Sequence, residues 1–376
     1  MPLRLMWFSC VISLASLISP AQAATTSELI QTIKAVGPEG AGNVAAIKAV
    51  QELSQSSSIE LLPLLTAMDD ASPLAANWLR GAFESIAARE VKTTGKLPAK
   101  ELESFVLDTK HDAHARRLAY EWLLKVDDKL AERLIPNMLL DPGADFRRDA
   151  VQRFIDEAVA LQTKEEKDAA IKTFRIALKG ATDDDQVQAI AKPLKELGET
   201  VDLQKHFGFV TTWKVAGPFE NHDLLGFDAV YPPELKLDLT KKYTGKDGKE
   251  IAWVDHTTED EYGKVEVKKL VPFKGAVTYA AAEFTTAAPT AVEVRLATPN
   301  AWKLWVNGKL AFARDEYHRG HQLDQYRVPV KLAAGKNVLL LKLCENEQTE
   351  EWAQEYQFQL RISDASGAAV VPAAAD

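Results

Sequence analysis

The stretch Ala301-Trp-Lys-Leu-Trp-Val-Asn-Gly-Lys-Leu-Ala-Phe312 carries the strongest hairpin signal of the chain. Asn307 and Gly308 both tolerate the positive φ that a type I′ turn requires, and apolar residues flank them. A two-residue loop predicts three cross-strand pairs, which are Val306 with Lys309, Trp305 with Leu310, and Leu304 with Ala311. The region is therefore expected to form part of an antiparallel sheet.

Both faces of this hairpin would be largely apolar. The side chains expected on one face are Trp302, Leu304 and Val306. Those expected on the other face are Lys303, Trp305, Leu310 and Phe312. Either the hairpin is buried on both sides, or one face forms an aromatic binding surface.

Three further stretches alternate apolar and polar residues, as antiparallel strands with one face on a core do. They are Val292–Leu296, Tyr326–Leu332 and Tyr356–Ile362. In the last of them, the pattern directs three side chains toward water: Gln357, Gln359 and Arg361.

Turn residues predict two more hairpins and one edge strand. Asp247-Gly248 would join Leu237–Leu239 to Ile251–Trp253, and Gly335–Asn337 would form another turn. Pro329 lacks a backbone N–H, so it indicates an edge strand or a position whose N–H would point away from the ladder.

Residues 24 to about 204 have a different pattern, with apolar residues at i, i+3 and i+4 that predict helices. Asp108 is followed by Ala-Arg116-Arg-Leu-Ala, and Asp141, 33 residues later, by Phe-Arg147-Arg-Asp-Ala. A period of this length is typical of stacked helix pairs. We expect the Asp to cap the following helix and the Arg to lie on its exposed or inter-repeat side.

This spacing resembles HEAT-type helical repeats over roughly residues 58–200. The resemblance implies a curved stack that offers an extended surface to a protein partner. The alternative is an irregular helical bundle that supports the second half.

A second resemblance covers about residues 212–364. It rests on the following segments: Trp213–Asn221, Tyr231–Glu234, Tyr243–Gly248 with Trp253, Lys303–Gly308 and Leu332–Lys342. Together they resemble the galactose-binding-like, or protective-antigen-type, β-sandwich of exported bacterial proteins. This implies a jelly-roll sandwich used for carbohydrate or protein attachment.

The predicted fold is therefore multidomain, with a HEAT-like α-solenoid followed by an antiparallel β-sandwich. Met1–Ala23 has the charged start, apolar run and small-x-small end of a signal peptide, so the protein is expected to be exported, periplasmic or secreted. We place the helical domain at 24–204, the sandwich at 205–366 and a flexible tail at 367–376. Cys344 lies in an apolar run and is expected to be buried.

Composition limits the function. The 376 residues carry a net charge of −9, which argues against nucleic-acid binding because phosphate contacts need clustered Lys and Arg. No later stretch qualifies as a membrane span, and no sequence motif of a nucleotide-binding or hydrolytic enzyme occurs.

The richest polar stretch is Arg314–Asp324, a loop expected at the rim of the sandwich. Binding residues favour loops on rigid scaffolds, and exposed Trp rings stack on sugars. The candidate ligand-binding residues are Trp305, Asn307, Tyr317, His318, His321, Asp324 and Trp352. The alternative for the loop is an ordinary solvated segment. His-x-x-His in a loop has no defined geometry, so we predict neither a metal nor another cofactor.

No residue is singled out for catalysis. We expect a non-catalytic binding or scaffold protein whose helical repeats bind a protein partner and whose sandwich binds carbohydrate or protein. The alternative is an enzyme acting on polysaccharide with a site at the junction of the two halves.

Overall fold

The computed structural model describes residues 24–373. The predicted signal peptide, Met1–Ala23, and the last three residues lie outside this range. The predicted order, helices first and antiparallel sheets second, is confirmed. Tertiary contacts group the chain into two compact units, of which the first ends at Asp128 and the second begins at Lys129.

The first unit is helical. Its helices are α1 (Thr26–Lys34), α2 (Asn43–Leu53), α3 (Leu61–Thr66), α4 (Pro73–Thr94), α5 (Ala99–Leu107) and α6 (Ala113–Leu123). Consecutive helices pack in pairs, α1 on α2, α3 on α4 and α5 on α6. In α5 the predicted helical spacing buries Leu102, Phe105 and Val106.

The turn between α5 and α6 differs in two details from the predicted repeat. Asp108 accepts a bond from the Lys110 N–H (3.0 Å) within the turn, and Asp112 caps α6 instead. Arg116 is 1% exposed, so of the two predicted positions, exposed or inter-repeat, the exposed one is excluded here. Its Nε donates to the carbonyl of Val106 (2.7 Å), which satisfies a backbone group near the end of α5.

The second unit begins with the helices α7 (Leu130–Leu134), α8 (Ala144–Thr163), α9 (Lys167–Gly180), α10 (Asp184–Glu196) and α11 (Leu203–Phe207). Helix α8 packs on α9, and α9 on α10. Arg147 is buried like Arg116, and its Nε donates to the carbonyl of Asp141 (2.9 Å).

The strands follow: β1 (Thr212–Glu220), β2 (Tyr243–Thr244), β3 (Glu250–Ile251), β4 (Val254–Thr257), β5 (Ala276–Thr286), β6 (Thr290–Ala297), β7 (Ala301–Val306), β8 (Lys309–Arg314), β9 (Tyr326–Leu332), β10 (Gly335–Glu345) and β11 (Gln359–Ser363). Two short helices, α12 (Pro232–Leu235) and α13 (Val267–Leu270), lie among them. The six-stranded sheet has the order β4-β1-β5-β10-β7-β8, the three-stranded sheet β11-β6-β9, and β2 pairs with β3.

One apolar core cluster draws on both larger sheets, and strand alternation explains how. Leu339, Leu341 and Leu343 of β10 belong to this cluster. Leu340 and Cys344 lie on the opposite face, in a second apolar cluster. Cys344 is buried as expected, and burial raises the pKa of its thiol to about 12.

The Asn307-Gly308 hairpin forms between β7 and β8, but its register differs from the prediction. An extra residue, Ala311, makes a bulge, so Leu304 pairs with Phe312. The ring of Phe312 consequently lies on the same face as Trp302. The two rings stack, with their centroids 4.9 Å apart. The expected grouping of Phe312 with Trp305 is wrong.

The other turn predictions have mixed outcomes. Asp247-Gly248 joins two strands, but the first is Tyr243–Thr244 rather than Leu237–Leu239. The turn before Gly335 connects β9 to β10, which lie in different sheets and form no hairpin. Pro329 lies in β9, at the edge of its sheet as predicted.

The outer face of the three-stranded sheet also differs from the prediction. Gln359 and Arg361 were expected to face water, yet they are 5% and 1% exposed. Chain from outside the sheet covers this face. The guanidinium of Arg361 donates to the carbonyl of Phe207 (3.2 Å) at the end of α11.

The change from helix to strand occurs between Phe207 and Thr212, close to residue 205. The domain boundaries drawn there stay a prediction. The expected tail follows the sheets at least as far as Ala373, whose N–H donates to the carbonyl of Thr285 (2.9 Å). Within residues 24–373, no helix is both long and apolar enough to cross a bilayer.

Candidate functional site

Three loops meet at one end of the six-stranded sheet. Strands β1 and β10 flank β5, and Glu220 and Glu345 both pair with Ala276. Because both strands are antiparallel to β5, they run in the same direction. Their carboxyl ends therefore lie at the same end of the sheet. The residues that follow β1 and β10 are therefore neighbours.

The third loop, residues 315–325, joins β8 to β9 and reaches the same edge. Asn221 links the three loops, since its Nδ2 donates to the carbonyl of Glu345 (2.8 Å) and lies 3.3 Å from the hydroxyl of Tyr317. Burial raises the pKa of Tyr317, so the hydroxyl stays protonated. The next residue, His318, has its Nε2 2.8 Å from Nδ2 of Asn346.

We call the group Tyr317, His318, Asn346 and Trp352 the rim surface. Trp352 is 61% exposed, and its ring meets the imidazole of His318 edge-on, at 4.9 Å and 82°. Because an amide nitrogen only donates, Nε2 of His318 is the acceptor in its contact with Nδ2 of Asn346. An exposed indole thus lies beside a hydroxyl, an imidazole and an amide.

The buried carboxylate of Glu345 lies beside the rim surface and holds the loops at this end of the sheet together. Glu345 is 1% exposed, and burial raises its pKa while Lys274 and Asn300 oppose the shift. Lys274 binds one of its oxygens, and Nδ2 of Asn300 donates to the other (2.6 Å). With both oxygens bound by protein, Glu345 holds the loops in place.

A second group at this edge has the chemistry of a metal site. His222, Asp223 and Glu347 form what we call the histidine–carboxylate cluster, with one ligand atom of each within 4.8 Å of the others. The imidazole of His222 lies between the carboxylates, 2.7 Å from Glu347 and 3.3 Å from Asp223. The contact with Glu347 raises the pKa of His222 and lowers that of Glu347.

The structure thus brings three of the predicted site residues together: Tyr317, His318 and Trp352. It places Trp305 elsewhere, because this side chain is 9% exposed and packs in the apolar cluster on the outer face of the six-stranded sheet. A ring buried in that way offers no flat face to a ligand.

Asn307 lies at the hairpin tip, away from the rim surface. Its Oδ1 accepts from the Val338 N–H (2.9 Å), and its Nδ2 donates to Oδ1 of Asn337 (2.8 Å). These bonds hold the hairpin against the start of β10.

The last two predicted residues, His321 and Asp324, are not part of the rim surface. Asp324 pairs with Arg295 (2.6 Å) and with Arg361 (2.5 Å) and is therefore occupied by cations. His321 is partly buried, burial lowers its pKa, and its Nε2 has no hydrogen-bond partner among the described residues.

Sequence reasoning missed Asn346 and the histidine–carboxylate cluster. His222 and Glu347 are 125 residues apart in sequence, and neither lies in a motif. Only the pairing of β1 and β10 with a common neighbour brings them together.

A cleft of about 340 Å³ lies between α11 and the start of β1, near the predicted junction of the two halves. Two carboxylates line it, Asp202 and Glu283. Asp202 caps α11 through the Lys205 N–H (3.0 Å), and Glu283 pairs with Lys336 (2.5 Å). Each carboxylate has a structural partner, and the enzyme alternative stays a prediction.

Comparisons with known proteins add little. No family model matches the chain, and no curated protein is significantly similar to it. Among solved structures, the GH31 alpha-xylosidase from Xanthomonas citri is 12% identical, over 40% of this chain and 16% of that one. The TM-score is 0.15, which is too low to support any conclusion about fold or function.

Proposed function

We propose that this chain is an exported, non-catalytic binding protein that attaches to carbohydrate through the rim surface. We further propose that its strands form a galactose-binding-like β-sandwich of the jelly-roll kind, and that its helices form HEAT-like repeats for a protein partner. The core cluster shared by the two larger sheets supports the sandwich. The packing of consecutive helices in pairs supports the repeats.

The exposed indole of Trp352 is the observation that carries the carbohydrate proposal. The side chain of Trp352 is 61% exposed, and an amphipathic indole at the surface presents an apolar face on which a sugar ring could stack. The indole ring contacts the imidazole of His318, which would reduce the conformational entropy lost on stacking. The hydroxyl of Tyr317 and the imidazole of His318, which is oriented by Asn346, would supply hydrogen bonds to sugar hydroxyls.

A glycan array probed with the full chain, followed by calorimetry on the glycans that bind, tests this proposal. Trp352→Ala should weaken binding about tenfold, because an aromatic contact contributes on the order of 1 kcal/mol beyond its buried area. Trp352→Phe should retain part of the affinity.

Leu310→Ala serves as the matched control, since Leu310 is also exposed (56%) but lies on β8 away from the rim surface. Unchanged binding by Trp352→Ala would contradict the proposal. If no glycan binds the wild-type chain, the sandwich would serve protein attachment instead.

One exposed apolar face of α2 supports the proposal that the helical half binds a protein partner. Val44 and Ile47, three residues apart on that face, are 73% and 44% exposed. Val44→Asp combined with Ile47→Asp should abolish capture of the partner in pull-downs while Trp352→Ala leaves it intact. Capture that survives the double substitution would exclude this face.

A further inference from the structure

The histidine–carboxylate cluster is held in place by backbone contacts that do not depend on its own side chains. Asn221, next to His222, donates its N–H to the carbonyl of Gly275 (3.0 Å), and the N–H of Gly275 donates to the carbonyl of Asn346, next to Glu347 (2.9 Å). The residues before His222 and before Glu347 are thus fixed on one common residue. Such support is what a metal site requires of its ligands.

The cluster carries more negative than positive charge. Asp223 and Glu347 contribute two carboxylates, and the one member of the cluster that can carry a positive charge is the imidazole of His222. The nearby ammonium of Lys246 is already bound to Glu220 (2.5 Å) and to the carbonyl of Gly275 (2.9 Å). A divalent cation would neutralise the negative charge of the carboxylates that the imidazole leaves uncompensated.

The ligand atoms are also accessible and close to a coordinating arrangement. The side chains of His222, Asp223 and Glu347 are 65%, 72% and 48% exposed, so solvent or a ligand could complete the coordination shell. Ligand atoms of a tetrahedral zinc ion lie about 3.3 Å apart, given bond lengths near 2 Å. The ligand atoms of the cluster lie within 4.8 Å of one another, so rotation of these exposed side chains would have to bring them closer on metal binding.

We propose that His222, Asp223 and Glu347 bind a divalent first-row transition-metal ion such as Zn²⁺. One imidazole nitrogen and two carboxylate oxygens form a mixed set that suits zinc or manganese, whereas calcium prefers oxygen ligands alone. The N–H of Asp223 lies 3.3 Å from the second oxygen of Glu347 and orients that carboxylate, in the manner of an outer-shell partner.

Isothermal titration of the full chain with ZnCl₂, in the absence of any glycan, tests the proposal. We expect one ion per chain, and we expect His222→Ala and Glu347→Gln each to weaken binding at least tenfold. Cobalt(II) in place of zinc should give visible d–d absorption that both variants lose.

His114→Ala is the matched control, since the imidazole of His114 is 87% exposed and has a single carboxylate, that of Asp112, at 3.7 Å. It should bind zinc as the wild type does. Wild-type affinity in His222→Ala, or no binding to the wild type at millimolar zinc, would overturn the proposal.

Because the titration contains no carbohydrate, a failure of the glycan experiment leaves this result unaffected. The three side chains are largely exposed, so circular dichroism should show the variants to be folded.

Discussion

The outer faces of the two larger sheets are both covered by chain from elsewhere, but the chemistry of the cover differs. On the six-stranded sheet, Phe219, Tyr279 and Trp305 belong to an apolar cluster that also contains residues of the segment between β1 and β4. On the three-stranded sheet, the cover is held by ion pairs of Asp324 with Arg295 and Arg361. An apolar cover is visible in the sequence as extra hydrophobic residues, whereas an ionic cover looks like a solvent-exposed face.

Lys342 is the exception on the apolar side. Its side chain is fully buried, and Nζ donates to the carbonyls of Phe227 (3.0 Å) and Ala229 (2.7 Å) and to Glu234 (2.8 Å). All three ammonium protons are therefore used. Because Tyr279 also donates to Glu234, this pair fastens the covering segment to β10 and β5.

The largest effect is expected for Lys342→Ala, because it leaves Glu234 buried without its cation. We expect a loss of about 3–5 kcal/mol in the free energy of unfolding, measured by urea denaturation. The double variant Lys342→Met with Glu234→Leu should recover most of this loss. A loss below about 1 kcal/mol for the single variant would show that the pair does not hold the apolar cover.

On the three-stranded sheet, Asp324→Asn should lower the free energy of unfolding by about 3 kcal/mol. We expect this loss to be smaller than the loss caused by Lys342→Ala. The difference arises because Arg295 keeps a second partner, Glu293, at 2.7 Å. A cost equal to that of a neutral surface substitution would contradict the ionic cover.

The same carboxylate should make the cover sensitive to acid. Burial raises the pKa of Asp324, but the bonds from Arg361 and Arg295 outweigh it and hold the pKa below its usual value. The stabilisation is therefore complete above the unfolded-state pKa of about 3.9 and is lost as the pH falls through the lower folded-state value. Urea denaturation at pH 7, 5 and 3 should show the gap between wild type and Asp324→Asn shrinking only at the lowest pH.

The smallest expected effect concerns His206 on α11, which lies 2.9 Å from the carbonyl of Ala181. Burial lowers its pKa, so between the folded-state value and about 6.5 the unfolded chain binds a proton that the folded chain does not. Stability should consequently fall as the pH drops from 7 to 5. His206→Gln should reduce that fall by about 1 kcal/mol, whereas Leu310→Ala, which removes no charge or buried contact, should keep the wild-type pH dependence.

The features that could be predicted from the sequence are those that depend on residues close together in the chain. Asn307-Gly308 was predictable because a type I′ turn needs positive φ at two adjacent residues, and Asn307 has φ 52°. The bulge at Ala311 was not, since the turn residues do not specify it and it is seen only in the register that pairs Leu304 with Phe312. For the candidate site, the loop with Tyr317 and His318 could be found from its polar composition, but their partners Asn346 and Asn221 could not.

Local patterns in this chain, 3.6-residue periodicity, alternation and turn residues, were enough to specify helices first and antiparallel strands afterwards, because each depends on neighbouring residues. Burial of Arg361 depends on the carbonyl of Phe207, 154 residues away. The meeting of His222 with Glu347 likewise depends on two strands sharing β5 as a neighbour. Such contacts arise only when the sheets pair and pack, because no short-range preference links residues so far apart.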